Sequence, residues 1–265
     1  MKKLTFIGAG NMATAIIGGI CGAKVDISLT AYDLDREKLD ELNKKYGVVP
    51  ADSIKNAVHE ADCVLLAVKP QSFPEVLSEM KDGFSADIVV ISIAAGITPA
   101  YISKALGMQA KVVQVMPNTP LLLGYGATAL SKSENVSEEE FAFVRTIFDC
   151  SGITAVLPNN KMNEVIAVNG SAPAFIYRYA QCFIDYGKSE GIPEDTCLQL
   201  FAQTLIGSAK MMMDSGRTLD ELITMVSSKG GTTIAGLNAL NEKGLPEAVR
   251  AACEASVKRA YELAK

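Results

Sequence analysis

A chain of 265 residues, 49% hydrophobic and 21% charged, can bury a substantial core and carries too little charge for a disordered or fibrous protein. A net charge of −5 with no run of lysine or arginine excludes a phosphate-gripping nucleic-acid surface, and no stretch approaches the roughly 18 uninterrupted apolar residues of a membrane span. Six cysteines at wide spacings with no CxxC pair encode neither a zinc site nor a redox dithiol, so a soluble protein of the reducing cytoplasm is expected.

From the N-terminus, Lys2 and Lys3 precede an apolar stretch reaching Ile20, but glycines, Asn11 and Thr14 break it, so it does not read as a signal peptide. Near-continuous apolar runs at residues 4–7, 27–32, 63–68, 88–93 and 112–116 suit strands buried on both faces of a parallel sheet. Helical stretches at 12–21, 36–46, 53–60, 73–80 and 98–106 fill the intervals, and this alternation predicts a doubly wound α/β domain. A further helix at 137–148 opens with a capping box, Ser137 followed three residues later by Glu140, and 154–157 reads as a closing strand.

After Pro158 the strand signal vanishes. Helices are expected at 162–186, 194–213, 219–226, 233–241 and 246–263, with Pro173 starting or kinking one, a break at 187–193, and Gly216 and Gly244 as punctuation. The reading is therefore a dinucleotide-binding domain at 1–157 and an all-helical domain at 158–265. With no repeat or flexible linker, the two should pack tightly. The helical half is small and apolar, with three consecutive methionines at 211–213, and is expected to bury one face against a copy of itself.

Gly8-Ala9-Gly10-Asn11-Met12-Ala13 matches G-x-G-x-x-[G/A] immediately after the first strand, which makes the sheet Rossmann-like. The first glycine permits the tight turn, the second lets the backbone reach a pyrophosphate, and the small third residue allows close helix packing. Backbone N–H groups of the following helix then bind the phosphates. Asp33, 25 residues past Gly8 at the end of the second strand, is placed to accept from ribose hydroxyls, which favours NADH. Arg36 could instead contact a 2′-phosphate, which favours NADPH, and Asp33 or Asp35 could simply cap the helix beginning near Arg36.

A reductase of most carbonyls needs a positioned acid. The only histidine, His59, falls late in a short helix before the third of these strands and reads as a surface residue, which disfavours a histidine-acid dehydrogenase. Two other segments stand out. Ala67-Val68-Lys69-Pro70-Gln71 follows that strand at its carboxyl end, where open α/β sheets place ligands. The run from Ser227 to Gly236, including Ser228, Lys229, Gly230, Gly231, Thr232 and Thr233, is a glycine-rich turn opening a helix, able to offer N–H groups and hydroxyls to a carboxylate. The structural alternative is that Gly230 and Gly231 end one helix while Thr232 or Thr233 caps the next.

These segments, with Ser92 to Thr98, Met116-Pro117-Asn118-Thr119-Pro120 and Gly170-Ser171-Ala172-Pro173-Ala174, closely resemble the pyrroline-5-carboxylate reductase family, essentially end to end. The Ser227 to Gly236 segment is the most specific. The resemblance implies NADPH or NADH bound by Gly8 to Ala13, Asn56, Ala67, Val68, Lys69, Pro70, Ala94, Ala95, Gly96 and Asn118. It implies that Gly231, Thr232 and Thr233 receive the carboxylate and ring nitrogen, with Ser228 and Gly230 in the same turn and Thr233 nearest the nitrogen. It implies a C-terminal dimerisation domain, a homodimer, and a decamer of five dimers as one further assembly. The chain departs from the family pattern at Lys229 (usually proline), Ala172 (usually glycine), Asn159 or Asn160 (often acidic) and Met225 (often polar or acidic), which bears on the shape and charge of the substrate pocket.

The implied reaction is hydride transfer to the ring C=N of 1-pyrroline-5-carboxylate, giving L-proline, the last step of proline biosynthesis. A cyclic imine can arrive already protonated, so orientation and charge complementarity replace the missing acid, and a threonine hydroxyl suffices. The competing readings are a reductase of another cyclic imine, a 3-hydroxyacid dehydrogenase using Lys161 as acid, and a non-enzymatic dinucleotide sensor.

Overall fold

The computed structural model describes residues 1–263; residues 264–265 of the expected helical domain lie outside the described residues. The chain divides into two compact units, one of Met1–Pro173 together with the chain end from Ala255, the other of Ala174–Glu254.

The first unit is built on eight strands. β1 (Lys2–Ile7), α1 (Asn11–Gly22), β2 (Ile27–Tyr32), α2 (Arg36–Tyr46) and the two-residue β3 (Val49–Pro50) run out to one edge. The chain then returns through α3 (Ile54–His59) to β4 (Cys63–Leu66) beside β1 and continues with α4 (Phe73–Met80), β5 (Val89–Ser92), α5 (Pro99–Leu106), β6 (Lys111–Met116), β7 (Gly126–Lys132), α6 (Glu138–Asp149) and β8 (Gly152–Val156). The sheet order is β3-β2-β1-β4-β5-β6-β7-β8, parallel except where β7 runs against β6. The direction of winding reverses between β1 and β4, and the crevice at their carboxyl ends is where such sheets bind ligands.

The strands are buried on both sides, so alternate residues feed two cores. Leu4, Phe6 and Leu65 join Ile16, Ile17, Leu39 and Val144 on one face, while Ile7, Val64 and Leu66 join Val58, Phe73, Leu77 and Ile102 on the other. Each such side chain contributes about 1.5–3 kcal/mol of burial. Ser53, Asp35, Thr98 and Ser137 cap α3, α2, α5 and α6, and Ser137 and Glu140 form the expected capping box.

Two strands escape the sequence reading. β3 is too short to leave a pattern, and β7, Gly-Ala-Thr-Ala-Leu-Ser-Lys, has small residues of weak strand propensity and no alternation, because both its faces are covered. The helix expected at 162–186 is interrupted: a short α7 (Val165–Val168) stops at Asn169, and α8 (Ala172–Ser189) starts afresh with Pro173 at its second position. The backbone leaves the helical path at Asn169, whose side chain donates to the Met116 carbonyl at 2.7 Å, and the next helix opens with Pro173 in its first turn, as expected. A third, smaller core joins Met116 and Ala129 to Met162, Ile166 and Ala260.

The second unit is helical throughout, holding most of α8, then α9 (Glu194–Asp214), α10 (Leu219–Met225), α11 (Thr232–Glu242) and the first part of α12 (Leu245–Leu263). The break expected at 187–193 separates α8 from α9, and Gly216 and Gly244 both have positive φ between helices. Tyr179, Phe183 and Phe201 form a ring cluster, with Phe183 stacked on Phe201 at 4.5 Å. Yet among the described residues of this unit Ile184 is the one buried apolar side chain, while Leu200, Ile206, Met212 and Met213 are all exposed. No helix among the described residues is long and apolar enough to cross a membrane.

Candidate active site

The loop between β1 and α1 turns sharply at Gly8, which has φ +100°. A Cβ there would lie 2.7 Å from the Ala67 carbonyl oxygen, so glycine is required by conformation and by contact with the β4 loop. Gly10 differs: its φ is −75°, and a Cβ would meet nothing within 4 Å. Nothing in the protein excludes a side chain at Gly10, and what its absence leaves open is the approach to the N-terminus of α1. Buried Ala13 packs that helix onto the sheet. The first turn has no side-chain cap and no acid, so the N–H groups of Asn11, Met12 and Ala13 are offered outward with the positive end of the helix dipole. This cradle fits a dinucleotide pyrophosphate.

At the end of β2 the Asp33 carboxylate accepts from the Ala9 N–H at 2.7 Å with one oxygen and from the Asp35 N–H at 2.9 Å with the other. Each oxygen keeps a second lone pair. Asp33 is therefore not a helix cap; Asp35 is, accepting from the Glu37 N–H at 3.2 Å. Lys38 beside Asp35 holds that carboxyl below the usual carboxylate range. Arg36 reaches Asp52 at 3.5 Å and Asp40 at 4.0 Å. A pocket of about 140 Å³ lies against Asp33, walled by Gly8, Leu34, Ile54 and Val68.

The remaining nucleotide candidates follow strand ends. Ala67 to Pro70 succeed β4; the Ala67 N–H bonds the Ile7 carbonyl at 2.8 Å, fixing this loop beside the glycine turn, and Pro70 opens a 3-10 turn. Ala94, Ala95 and Gly96 succeed β5, with Gly96 at φ +79°. Asn118 succeeds β6, and its Oδ1 accepts from the Ala127 N–H at 3.0 Å, closing the loop into β7. These segments share the carboxyl edge of the sheet, whereas Asn56 sits in α3 on an exposed position. His59 is exposed at the end of the same helix, and Lys161 is exposed in a 3-10 turn at Asn159–Lys161.

In the second unit the structural alternative for the glycine-threonine turn does not hold. α10 ends at Met225 with Val226 as its C-cap, so Gly230 and Gly231 do not terminate it. Gly230, at φ +74°, carries a tight turn closed by the Gly231 N–H on the Ser228 carbonyl at 2.9 Å. Gly231 is the N-cap of α11 and supplies no side chain; neither threonine caps the helix, and both lie in its first turn. A Cβ on Gly231 would come within 2.4 Å of Ser228 Oγ and 3.0 Å of its carbonyl oxygen. Ser228, Gly230 and Gly231 thus form a tight turn, and Thr232 and Thr233 follow it with N–H groups and hydroxyls at the start of α11. Ser227 Oγ, buried beside it, has no partner.

Sequence reasoning passed over several polar groups behind the β6 end. Asn169, 7% exposed, braces the Met116 carbonyl just before Pro117 and Asn118, and its own Oδ1 has no partner. Tyr261 donates to Glu164 at 2.7 Å. Asn159 bonds the Ser131 hydroxyl and donates to the Lys132 carbonyl at 3.0 Å, a donation an acid at that position could not make, so this departure serves β7. The Asn-Gly pair inside a helical run was the available signal for the Asn169 break.

A sheet reversing at β1 and β4 over an uncapped glycine loop defines a dinucleotide-dependent oxidoreductase, and residues 3–96 match the family model described as NADP oxidoreductase, coenzyme F420-dependent. Residues 159–263 match the model for pyrroline-5-carboxylate reductase dimerisation. The chain is 35% identical over 266 residues to pyrroline-5-carboxylate reductase of Escherichia coli (strain K12), covering 100% of this chain and 99% of that one. It belongs to the pyrroline-5-carboxylate reductase family. A solved pyrroline-5-carboxylate reductase from Coxiella burnetii superposes with TM-score 0.91 at 33% identity, covering 99% of this chain and 98% of that one. The pyrroline carboxylate reductase of Plasmodium falciparum with NADP bound gives TM-score 0.90 at 28% identity, over 100% and 98% of the two chains.

Proposed function

We propose that this chain reduces 1-pyrroline-5-carboxylate to L-proline, taking hydride from NADPH or NADH. Bound, the reduced nicotinamide supplies the hydride; every other requirement falls on the protein. Gly8 to Ala13 hold the pyrophosphate at the head of α1, Leu34 and Ile54 flank the adenosine end, and Ala67 to Pro70, Ala94 to Gly96 and Asn118 line the rest, with Asn56 of α3 at the rim. The uncapped α11 N-terminus receives the substrate carboxylate on the N–H groups of Thr232 and Thr233, and the Thr233 hydroxyl orients the ring nitrogen.

The observation that carries this reading is that Gly231, and not a threonine, occupies the N-cap of α11. A helix start left without a side-chain acceptor, beside two hydroxyls that bond nothing else among the described residues, suits a carboxylate, and that supports the reading. No general acid is needed, because the imine binds protonated, consistent with the exposed position of His59.

Residues 1–157 serve as the dinucleotide domain and 158–265 as the substrate and dimerisation domain of a cytoplasmic enzyme. A helical unit with one buried apolar side chain among its described residues has no sufficient core of its own, which supports a homodimer through α9 and α10; a decamer of five dimers is the larger assembly. The test is direct: purified protein incubated with pyrroline-5-carboxylate and NADPH or NADH should consume the dinucleotide and yield an equal amount of proline. Dinucleotide oxidation without proline would end the assignment.

A further inference from the structure

The nucleotide site is acidic where the adenosine ribose would lie. The pocket beside Asp33 is also lined by Glu75 and Glu79 from α4, and among its described lining residues there is no lysine or arginine. Asp33 cannot swing aside, because both its oxygens hold backbone N–H groups, one of them from the glycine loop itself. The cations that follow β2 lie outside this pocket and pair at the surface, Arg36 with Asp40 and Asp52 and Lys38 with Asp35 at 3.2 Å.

We propose that this chain selects NADH over NADPH, with Asp33 as the discriminating residue and Glu75 and Glu79 as accessory repulsive charges. The inference rests on the nucleotide placement of the functional reading above. A ribose 2′-hydroxyl donates to the remaining lone pair of the Asp33 carboxylate. A 2′-phosphate brings a near-dianion against the same fixed charge, with two further carboxylates around it. Recruiting Arg36 would mean leaving Asp40 and Asp52 and would still not move Asp33. Discrimination here is built by repulsion of the wrong cofactor as well as attraction of the right one.

The experiment is a binding titration on the full-length protein, following the fluorescence of reduced nicotinamide and, separately, the heat of binding of the oxidised cofactors. At low salt the Kd for NADH should be lower than that for NADPH by about tenfold or more, and the gap should narrow as salt screens the carboxylates. The pair Glu75→Gln and Glu79→Gln should tighten NADPH several-fold more than it tightens NADH. Asp33→Asn, which keeps an acceptor for the Ala9 N–H, should narrow the gap further. Equal or tighter binding of NADPH by the parent protein, or variants that move both affinities together, would overturn the proposal. If NADPH binds better and proline still forms, this inference alone fails; if neither dinucleotide binds, the functional reading falls with it.

Discussion

Asp33 holds the Ala9 amide at 2.7 Å across 24 residues of sequence, so the carboxylate ending β2 braces the loop that follows β1. A hydrogen bond to a charged group contributes about 1.5–3 kcal/mol, and its removal leaves a partly buried N–H unsatisfied. Asp33→Ala should therefore weaken NADH binding roughly tenfold or more and lower stability by about 1–2 kcal/mol. Urea denaturation and NADH titration check both; an unchanged NADH Kd would remove Asp33 both as a brace of the loop and as a ribose acceptor.

The two glycines of the loop should fail in opposite ways. At Gly8 an alanine meets the Ala67 carbonyl at 2.7 Å with φ at +100°, so Gly8→Ala should cost about 2–4 kcal/mol and lower Tm markedly. At Gly10 an alanine meets nothing within 4 Å at an ordinary φ, so Gly10→Ala should leave stability within about 0.5 kcal/mol. It should nonetheless raise the dinucleotide Kd about tenfold or more, because the methyl enters the space kept for pyrophosphate. Thermal melts and titrations of the two variants, side by side, separate a folding glycine from a binding one.

The same contrast explains what the sequence could show. Motifs whose chemistry is local, such as the glycine loop, the Ser137 capping box and the Asp35 cap, are legible because neighbours in sequence are neighbours in space. Parallel strands such as β4 and β5 announce themselves as short apolar runs buried on both faces. β7 does not: its partners β6 and β8 are fixed by tertiary pairing, and its small residues carry no period. The break near Asn169 was partly visible, through the start or kink expected at Pro173, but the bond that holds Asn169 reaches the Met116 carbonyl 53 residues earlier and needed the packed fold. Asp33 was half legible: its position suggested a ribose contact, but its grip on the Ala9 amide needed the packed strands.

Thr233 sits in the first turn of α11 beside the uncapped Gly231, and in the proposed reading its hydroxyl orients the ring nitrogen, a role the helix does not need for its own stability. Thr233→Ala should reduce kcat/KM about 10–100-fold with Tm nearly unchanged, and Thr233→Ser should recover most of the loss. Wild-type kinetics in the alanine variant would remove this hydroxyl from the chemistry.

Glu140 links the start of α6 to β6: it accepts from Lys111 at 2.7 Å and from the Ser137 N–H at 2.8 Å. Partial burial alone would raise its pKa, but the Lys111 ammonium and the Ser137 bonds outweigh it and hold the carboxyl below its ordinary 4.5. A carboxylate depressed in the folded state adds stability that is fully present above its unfolded pKa and is lost as pH falls through the folded one. Glu140→Gln should thus cost about 1 kcal/mol at neutral pH. The deficit should shrink below the ordinary carboxylate value of 4.5, the parent protein losing there what the variant never had. Urea midpoints measured across that range give the sign directly; a deficit constant with pH would mean that Glu140 acts by packing alone.

Met212 on α9 and Ile223 on α10 line one apolar groove and are respectively 53% and 45% exposed. A monomer would leave this groove, and the rest of a unit nearly devoid of core, in water at about 25 cal/mol per Å² of apolar surface. Light scattering on the parent protein should accordingly give twice the chain mass or a multiple of it at every concentration tested. Met212→Glu with Ile223→Glu should yield monomers with reduced helical circular dichroism and no proline formation, while NADH still binds, because the glycine loop and its Asp33 brace belong to the sheet unit, which has its own two cores. A double variant that stays dimeric and active would move the subunit contact away from α9 and α10.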